Sequence, residues 1–330
     1  MRIPGTVILS RPDALGDAVV TLTTAGWIKA HAPDTRIIVI CKEYARAVWK
    51  HCDHVDAIIT LEELQAGDAP SMLAATKADA IVHVFPHRDV ALWAKKAGIP
   101  LRIATSHRLF NWTTCNKLVH FTRKRSLLHE AQLNIKLLEP FGLPMPTNVQ
   151  ELVPHMGLRA PTPTDEVRSL LRMDRKRVIL HPLLGSGVGW GLDNYATLMR
   201  SLDPTKWQVI ITGTSKEAGI YRKELPMDLP HVADAGGRYD LEELMMLIGS
   251  CNAMVAASTG PLHIAAALGL RTVGLFSMRR PIFPARWAPL GIDAHALTFD
   301  PQCATCAAGK ECDCITRIPV QRVMDLLERD

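Results

Sequence analysis

One pattern constrains this chain more than any other. An apolar strand runs through a polar residue near a proline into a glycine turn and a helix, and it does so twice. Residues 6–16 read TVILSRPDALG and residues 177–187 read RVILHPLLGSG. Around each copy, short β-branched runs alternate with stretches of helical spacing. The runs lie at 6–10, 36–42, 57–60, 80–85, 177–182, 207–213, 253–258 and 272–277. The helical stretches lie at 17–31, 87–97, 130–141, 193–202, 216–224, 240–250 and 261–268. Strands this apolar, separated by helices, predict parallel sheets covered on both faces. The expected fold class is α/β, doubly wound.

Each copy is read as the opening of its own Rossmann-like domain. Between them, residues 139–167 hold six prolines and end in APTPTDE before the valine, which is linker composition. The predicted domains are 1–155 and 156–330. A length of 330 residues suits two domains, and 48% apolar residues can supply two cores. A 22% charged fraction is ordinary for globular chains and argues against disorder. No apolar run is long enough for a transmembrane helix. The N-terminus turns polar after one short run and reads as a first strand, not a signal peptide, so a cytoplasmic location is expected. The net charge of +5 admits acidic substrates or an anionic membrane surface. No nucleic-acid motif accompanies it.

Ligands of open α/β sheets bind at the carboxyl ends of the strands. Asp17 follows the first strand and starts a helix. It is either a cap that complements the helix dipole or a carboxylate serving as general base. Asp13, in the preceding loop, is expected in solvent. Val19, Leu22, Gly26 and Ala30 give that helix a narrow face for packing on the sheet. The loop after residue 181 carries Gly185, Gly187, Gly189 and Gly191, which admit close backbone approach to a phosphate or sugar or else form a flexible lid. It is neither a P-loop nor a correctly spaced GxGxxG. Glu217, in a first helical turn, is a helix-start acid or an acceptor for ribose hydroxyls. In ASTGPLH (257–263), Gly260 is read as cap and Pro261 as first helical residue. That helix start is a candidate anion site, with Ser258, Thr259 and His263 beside it.

Eight cysteines are present; four of them lie scattered and are expected reduced. Cys303, Cys306, Cys312 and Cys314 are clustered in CATCAAGKECDC. Four thiolates could hold a tetrahedral structural metal, zinc or iron, although the closing C-x-C is awkward for a simple zinc knuckle.

Four stretches, in order, carry a resemblance over nearly the whole chain: LGDAVVTLTTAGWIKAHAPDTRIIVI, HEAQLNIKLLEPFGLP, STGPLHIAAALGLRTVGLFS and CATCAAGKECDCITRIPVQRVMDLL. Together they resemble the heptosyltransferases, glycosyltransferase family 9, of lipopolysaccharide core biosynthesis. The resemblance implies the GT-B fold, with two Rossmann-like domains facing a cleft. It implies an acceptor-binding N-terminal domain, a nucleotide-sugar-binding C-terminal domain and a last helix, 318–329, packing back to the first domain. It also implies an inverting enzyme that moves heptose from ADP-L-glycero-D-manno-heptose to a Kdo or heptose acceptor and needs no cofactor.

By motif, the resemblance puts the catalytic base on Asp17. It puts donor contacts on Thr259, Gly260 and His263, with Glu217 at the ribose and Tyr239 near the adenine; Gly185, Ser186 and Gly187 of the glycine loop and Ser258 of the turn are read as further donor contacts. A phosphorylated, acidic acceptor would suit the basic residues of the first domain: Arg11, Lys42, Arg46, Arg102, Arg108, Arg123, Lys124 and Arg125. Of these, 123–125 could equally face the anionic inner membrane, and peripheral contact with it is expected.

Two positions depart from the family pattern. Ser258 stands where the family usually has aspartate. Val188 stands where it usually has lysine, two residues before the loop tryptophan. The alternatives are therefore a family-9 transferase with a different nucleotide-sugar or a protein acceptor, and a catalytically weakened nucleotide-binding homologue. A nicotinamide-dependent dehydrogenase is disfavoured, because no strand–GxGxxG–helix fingerprint with a following acid is present.

Overall fold

A computed structural model describes residues 3–123, 126–185 and 188–329. It divides into two compact units, Met1–Arg159 and Ala160–Asp330. The first unit holds six strands: β1 Thr6–Ser10, β2 Arg36–Cys41, β3 Ala57–Thr60, β4 Ala80–His83, β5 Leu101–Thr105 and β6 Lys117–Val119. The second holds β7 Lys176–His181, β8 Trp207–Ile211, β9 Val232–Asp234, β10 Ala253–Ala257, β11 Arg271–Leu275 and β12 Ala294–Leu297. All pairings are parallel, in the orders β3-β2-β1-β4-β5-β6 and β12-β11-β10-β7-β8-β9. Both are the doubly wound order 3-2-1-4-5-6. Each therefore has a switch point, between β1 and β4 in one unit and between β7 and β10 in the other.

The central strands are those read from the sequence, because they are apolar on both faces. Val7, Ile8 and Leu9 are fully buried, as are Ile179, Leu180, Met254 and Val255. The strands that sequence reading missed are β5, β6, β9 and β12. β6 and β12 are edge strands with exposed residues, β9 has only three residues, and β5 begins with a half-exposed Leu-Arg pair. None offers the two-sided apolar run that marks a central parallel strand.

The proline-rich segment is not a free linker. Val149–His155 is a 3-10 helix whose Leu152 is fully buried, and Leu158 bridges back to Cys52. Burial of Leu152, Met156 and Leu158 keeps this segment in the first unit and moves the boundary from the expected 155 to 159/160. Gly26 serves this packing and not packing on the sheet. A Cβ on it would lie 2.1 Å from the His155 carbonyl oxygen, so only glycine lets the helix Leu15–His31 approach.

The terminal helix spans Val320–Leu327, inside the expected 318–329. Its Val323, Leu326 and Leu327 enter the core of its own second unit, together with Trp190, Tyr195 and Met199. Trp190 donates from Nε1 to the Ile318 carbonyl at 2.8 Å, which ties the glycine loop to the chain just before this helix.

Candidate active site

At the first switch point the chain leaves β1 through Arg11, whose guanidinium is 1% exposed. Nε lies 2.9 Å from Asp13 Oδ1, Nη2 pairs with Asp17 Oδ1, and Nη2 lies 3.6 Å from Glu130 Oε1. Nη1 donates to the Val84 carbonyl at 3.4 Å. Arg123 also pairs with Glu130 through Nη1. Its Nη2 reaches the Val84 carbonyl at 3.3 Å and Asn134 Oδ1 at 3.1 Å. Asn134 in turn donates to Thr21 Oγ1 at 3.1 Å, and Thr21 donates to the Asp17 carbonyl at 2.7 Å.

A buried guanidinium fork of this kind orients the carboxylates it pairs with. Burial nonetheless pulls the Arg11 pKa down to about 10, while Asp13 opposes the drop. Asp17 lies in the first turn of its helix, with its side chain 21% exposed. It is anchored by Arg11 and still reachable.

Three expectations for this unit change. Asp13 is not solvated: its side chain is 15% exposed, and burial pushes its pKa up. Arg11 is not a surface cation for the acceptor, because it is enclosed by carboxylates of its own chain. Arg102 lies near the start of β5, at the end of the sheet away from Asp17, where it donates to the Thr114 carbonyl at 2.7 Å and to that of Ile99. Lys42 directly follows β2, and exposed Arg108 follows β5, so both keep the strand-end placement expected of acceptor contacts. Arg46 is engaged by Glu43 at 2.9 Å and Glu63 at 2.6 Å. Lys124 and Arg125 lie outside the described residues. Glu130 and Asn134 were missed. Their signal was two polar residues four apart in HEAQLNIKLL, on a segment otherwise buried and largely apolar.

His83, beside Ser10 in the β1–β4 register, is 1% exposed, and neither ring nitrogen has a hydrogen-bond partner among the described residues. Burial, with Arg102 and His87 adding to it, lowers its pKa from 6.5 to about 3. The unfolded chain thus takes up this proton below pH 6.5, and the folded chain refuses it until about pH 3. The contribution to stability is whole above pH 6.5 and is lost as pH falls toward 3. One such group adds a slope of about 1.4 kcal/mol per pH unit. Urea unfolding of wild type and His83→Met at pH 4, 5 and 6 should show the shallower slope in the variant; equal slopes would contradict the assignment.

At the second switch point a cavity of about 270 Å³ opens beyond the ends of β10 and β11. Its wall includes Val188, Ser258, Ser277, Arg279, Arg280 and Cys312. Both departures from the family pattern, Val188 and Ser258, therefore border one space. The two arginines were missed because MRRPIF offers no helical or strand period. The Arg280 guanidinium lies 4.8 Å above the Phe283 ring.

The adjoining helix is Gly260–Ala267, one residue earlier than expected. Thr259, not Gly260, is its cap, accepting from the Leu262 N–H at 3.4 Å, and Pro261 is second in the helix. His263 is 3% exposed, with its ring edge-on to Trp287 at 6.1 Å. Glu217 closes a capping box, its Oε2 accepting from Thr214 N at 2.7 Å and Thr214 Oγ1 at 2.9 Å. Tyr239 precedes the helix Leu241–Gly249; its ring is half-buried beneath the Arg238 guanidinium at 5.5 Å. Gly185 directly follows the loop's Leu184, and a Cβ there would meet nothing within 4 Å. Ser186 and Gly187 lie outside the described residues.

Cys303, Cys306, Cys312 and Cys314 converge, with all sulfurs within 4.8 Å of one another. No helix among the described residues is long and apolar enough to cross a membrane.

Two units of parallel, doubly wound strand order give the chain an α/β fold of GT-B type. The sequence model of glycosyltransferase family 9 (heptosyltransferase) matches residues 75–314, and the chain belongs to that family. A Haemophilus influenzae protein described no further than as a glycosyltransferase is 24% identical over 319 residues, covering 92% of this chain and 90% of the relative. Among solved structures, the E. coli ADP-heptose lps heptosyltransferase II superposes with a TM-score of 0.75 at 20% identity, covering 98% of this chain and 97% of that one. The E. coli heptosyltransferase WaaC solved with ADP gives 0.71 at 12% identity, covering 98% and 99%. These likenesses establish the fold.

Proposed function

We propose that this chain transfers heptose from ADP-L-glycero-D-manno-heptose to the lipopolysaccharide inner core, at a Kdo or heptose hydroxyl, with inversion at the anomeric carbon. The first unit binds the acceptor and the second binds the nucleotide-sugar. The observation that carries this reading is Asp17: a reachable carboxylate, oriented by a buried arginine at a switch point, in a family-9 chain.

Asp17 takes the proton of the acceptor hydroxyl as that oxygen attacks C1 of the donor. The bond from C1 to the diphosphate oxygen breaks, and its electron pair leaves with ADP. Backbone N–H groups at the start of the Gly260–Ala267 helix favour the developing charge, with Thr259 fixing that start. Arg279 and Arg280 supply, from the loop after β11, positive charge that the family places on a lysine and that Val188 cannot carry. Lys42 and Arg108 draw the phosphorylated acceptor. Glu217 meets the ribose with the carboxylate that now closes its capping box, and Tyr239 stacks near the adenine.

A second reading is favoured by one observation. Val188 and Ser258 border the same cavity, so the family's lysine–aspartate pair has been replaced at one place. Such a change could retune the site for another nucleotide-sugar or weaken it.

Thermal shift with ADP, UDP, GDP and NAD separates these readings. ADP alone should stabilise the chain, by about 2.7 kcal/mol at a hundredfold excess over Kd. The Arg279→Ala/Arg280→Ala variant should need at least tenfold more ADP for the same shift. Preference for UDP or GDP would replace the donor, and no shift with any nucleotide would contradict the transferase reading of the cavity.

A further inference from the structure

We infer that Cys303, Cys306, Cys312 and Cys314 form a tetrathiolate site for one zinc ion, and that this ion fixes the wall of the cation-lined cavity. The sulfurs already sit at ligand separations. All lie within 4.8 Å of one another, with Cys303 and Cys312 3.6 Å apart and Cys312 and Cys314 3.0 Å apart. Bonds of about 2.3 Å to a tetrahedral zinc place sulfurs roughly 3.8 Å apart. The observed set brackets that value, so the ion requires side-chain adjustment and no change of fold.

The backbone is arranged for the same purpose. Cys303 stands at the N-cap of the short helix Ala304–Ala307, which places its sulfur one turn from Cys306. Gly309 then turns the chain with φ of +72°, a conformation that favours glycine, and its N–H returns to the Cys306 carbonyl at 2.9 Å. This turn brings the C-x-C pair back to the first two cysteines. Cys306 is 1% exposed and Cys314 3%, while Cys303 and Cys312 are half-buried. The site is thus closed on one side and open to loading on the other. C-x-C spacing is awkward for a simple knuckle. Here it works because Cys314 turns inward to the core while Cys312 faces the cavity.

Two contacts couple the site to the cavity. Cys312 and Ile315 line the cavity directly. On the other side, the Met278 backbone bears on the Cys306 thiol, and Met278 lies between the cavity residues Ser277 and Arg279. A filled site carries a net charge of 2−, since four thiols release their protons to solvent and the four thiolates bind one dication. Arg279 and Arg280 stand in the same wall to offset it. The ion would hold the segment 277–282 as a structural clamp, outside the chemistry of transfer.

The coupling rests on the donor reading of the cavity; the metal site does not. The full chain, purified under reducing conditions, should contain one zinc per chain by elemental analysis. Cobalt in its place should show the absorption of a tetrahedral thiolate site. Cys306→Ser/Cys314→Ser should lose the metal, and the double variant Cys303→Ser/Cys312→Ser, which changes only the half-buried pair, should lose it while remaining folded by circular dichroism. Both the zinc-free chain and this second variant should need at least tenfold more ADP for a given thermal shift. Absence of metal, or a disulfide by mass spectrometry in the reduced chain, would overturn the site. Iron in place of zinc would overturn the choice of ion. A metal-free chain that binds ADP as wild type does would overturn the coupling. Stoichiometric zinc with no ADP shift even in wild type would leave the site standing and fault the donor reading alone.

Discussion

Asp17→Asn should lower heptose transfer by roughly 10²–10⁴-fold while leaving the chain folded and its affinity for ADP unchanged. The substitution keeps the shape of the side chain and removes the group that accepts the proton. The cluster around it holds three carboxylates, on Asp13, Asp17 and Glu130, against two guanidinium groups, on Arg11 and Arg123. Removing one negative charge moves that set toward neutrality, so the fold loses little. The effect should fall on kcat and not on the donor KM. Steady-state rates with saturating donor, read alongside a thermal melt, separate loss of the base from loss of structure. Transfer within threefold of wild type would show that another group takes the proton.

Arg11→Ala should destabilise the first unit by about 3–5 kcal/mol, the cost of breaking a buried ion pair by removing one partner. Arg11 is the only side chain in contact with all three carboxylates among the described residues. Without it, the buried Glu130 retains Arg123, whereas Asp13 and Asp17 each lose the cation they pair with. Arg11→Lys should recover part of the stability, because it restores charge without the planar fork. It should recover little of the transfer rate, because one ammonium cannot orient Asp13 and Asp17 together. Urea unfolding of the three proteins at neutral pH reads the first effect. A loss below about 0.5 kcal/mol in Arg11→Ala would mean that solvent already compensates the cluster.

The sheets were legible because their central strands are apolar on both faces; a buried parallel strand leaves that signal whatever surrounds it. The aspartate at 17 and the turn at 258–260 were legible as features of strand ends. The role of Arg11 was not. In one dimension it is a basic residue after a strand, like Lys42 after β2, and only the fold reveals that Asp13, Asp17 and Glu130 enclose it. Arg279 and Arg280 were hidden for a related reason: an irregular segment has no period to read, and the residues that share its cavity come from the end of β10 and the cysteine loop. The boundary at 159/160 was displaced because proline content marks irregular backbone, not exposure. Leu152 and Leu158 decide where that backbone packs. Val188 and Ser258 were separate oddities in the sequence, 70 residues apart, and became one question when both were found on the same cavity.

The most direct test supplies the purified chain with ADP-heptose and a lipid-linked Kdo acceptor and measures ADP release together with the anomeric configuration of the product. The account predicts ADP formation that requires both substrates, a product of configuration opposite to the donor's, and loss of both signals in Asp17→Asn. ADP formation absent with ADP-heptose but restored with another nucleotide-sugar, or a product that retains the donor's configuration, would contradict it.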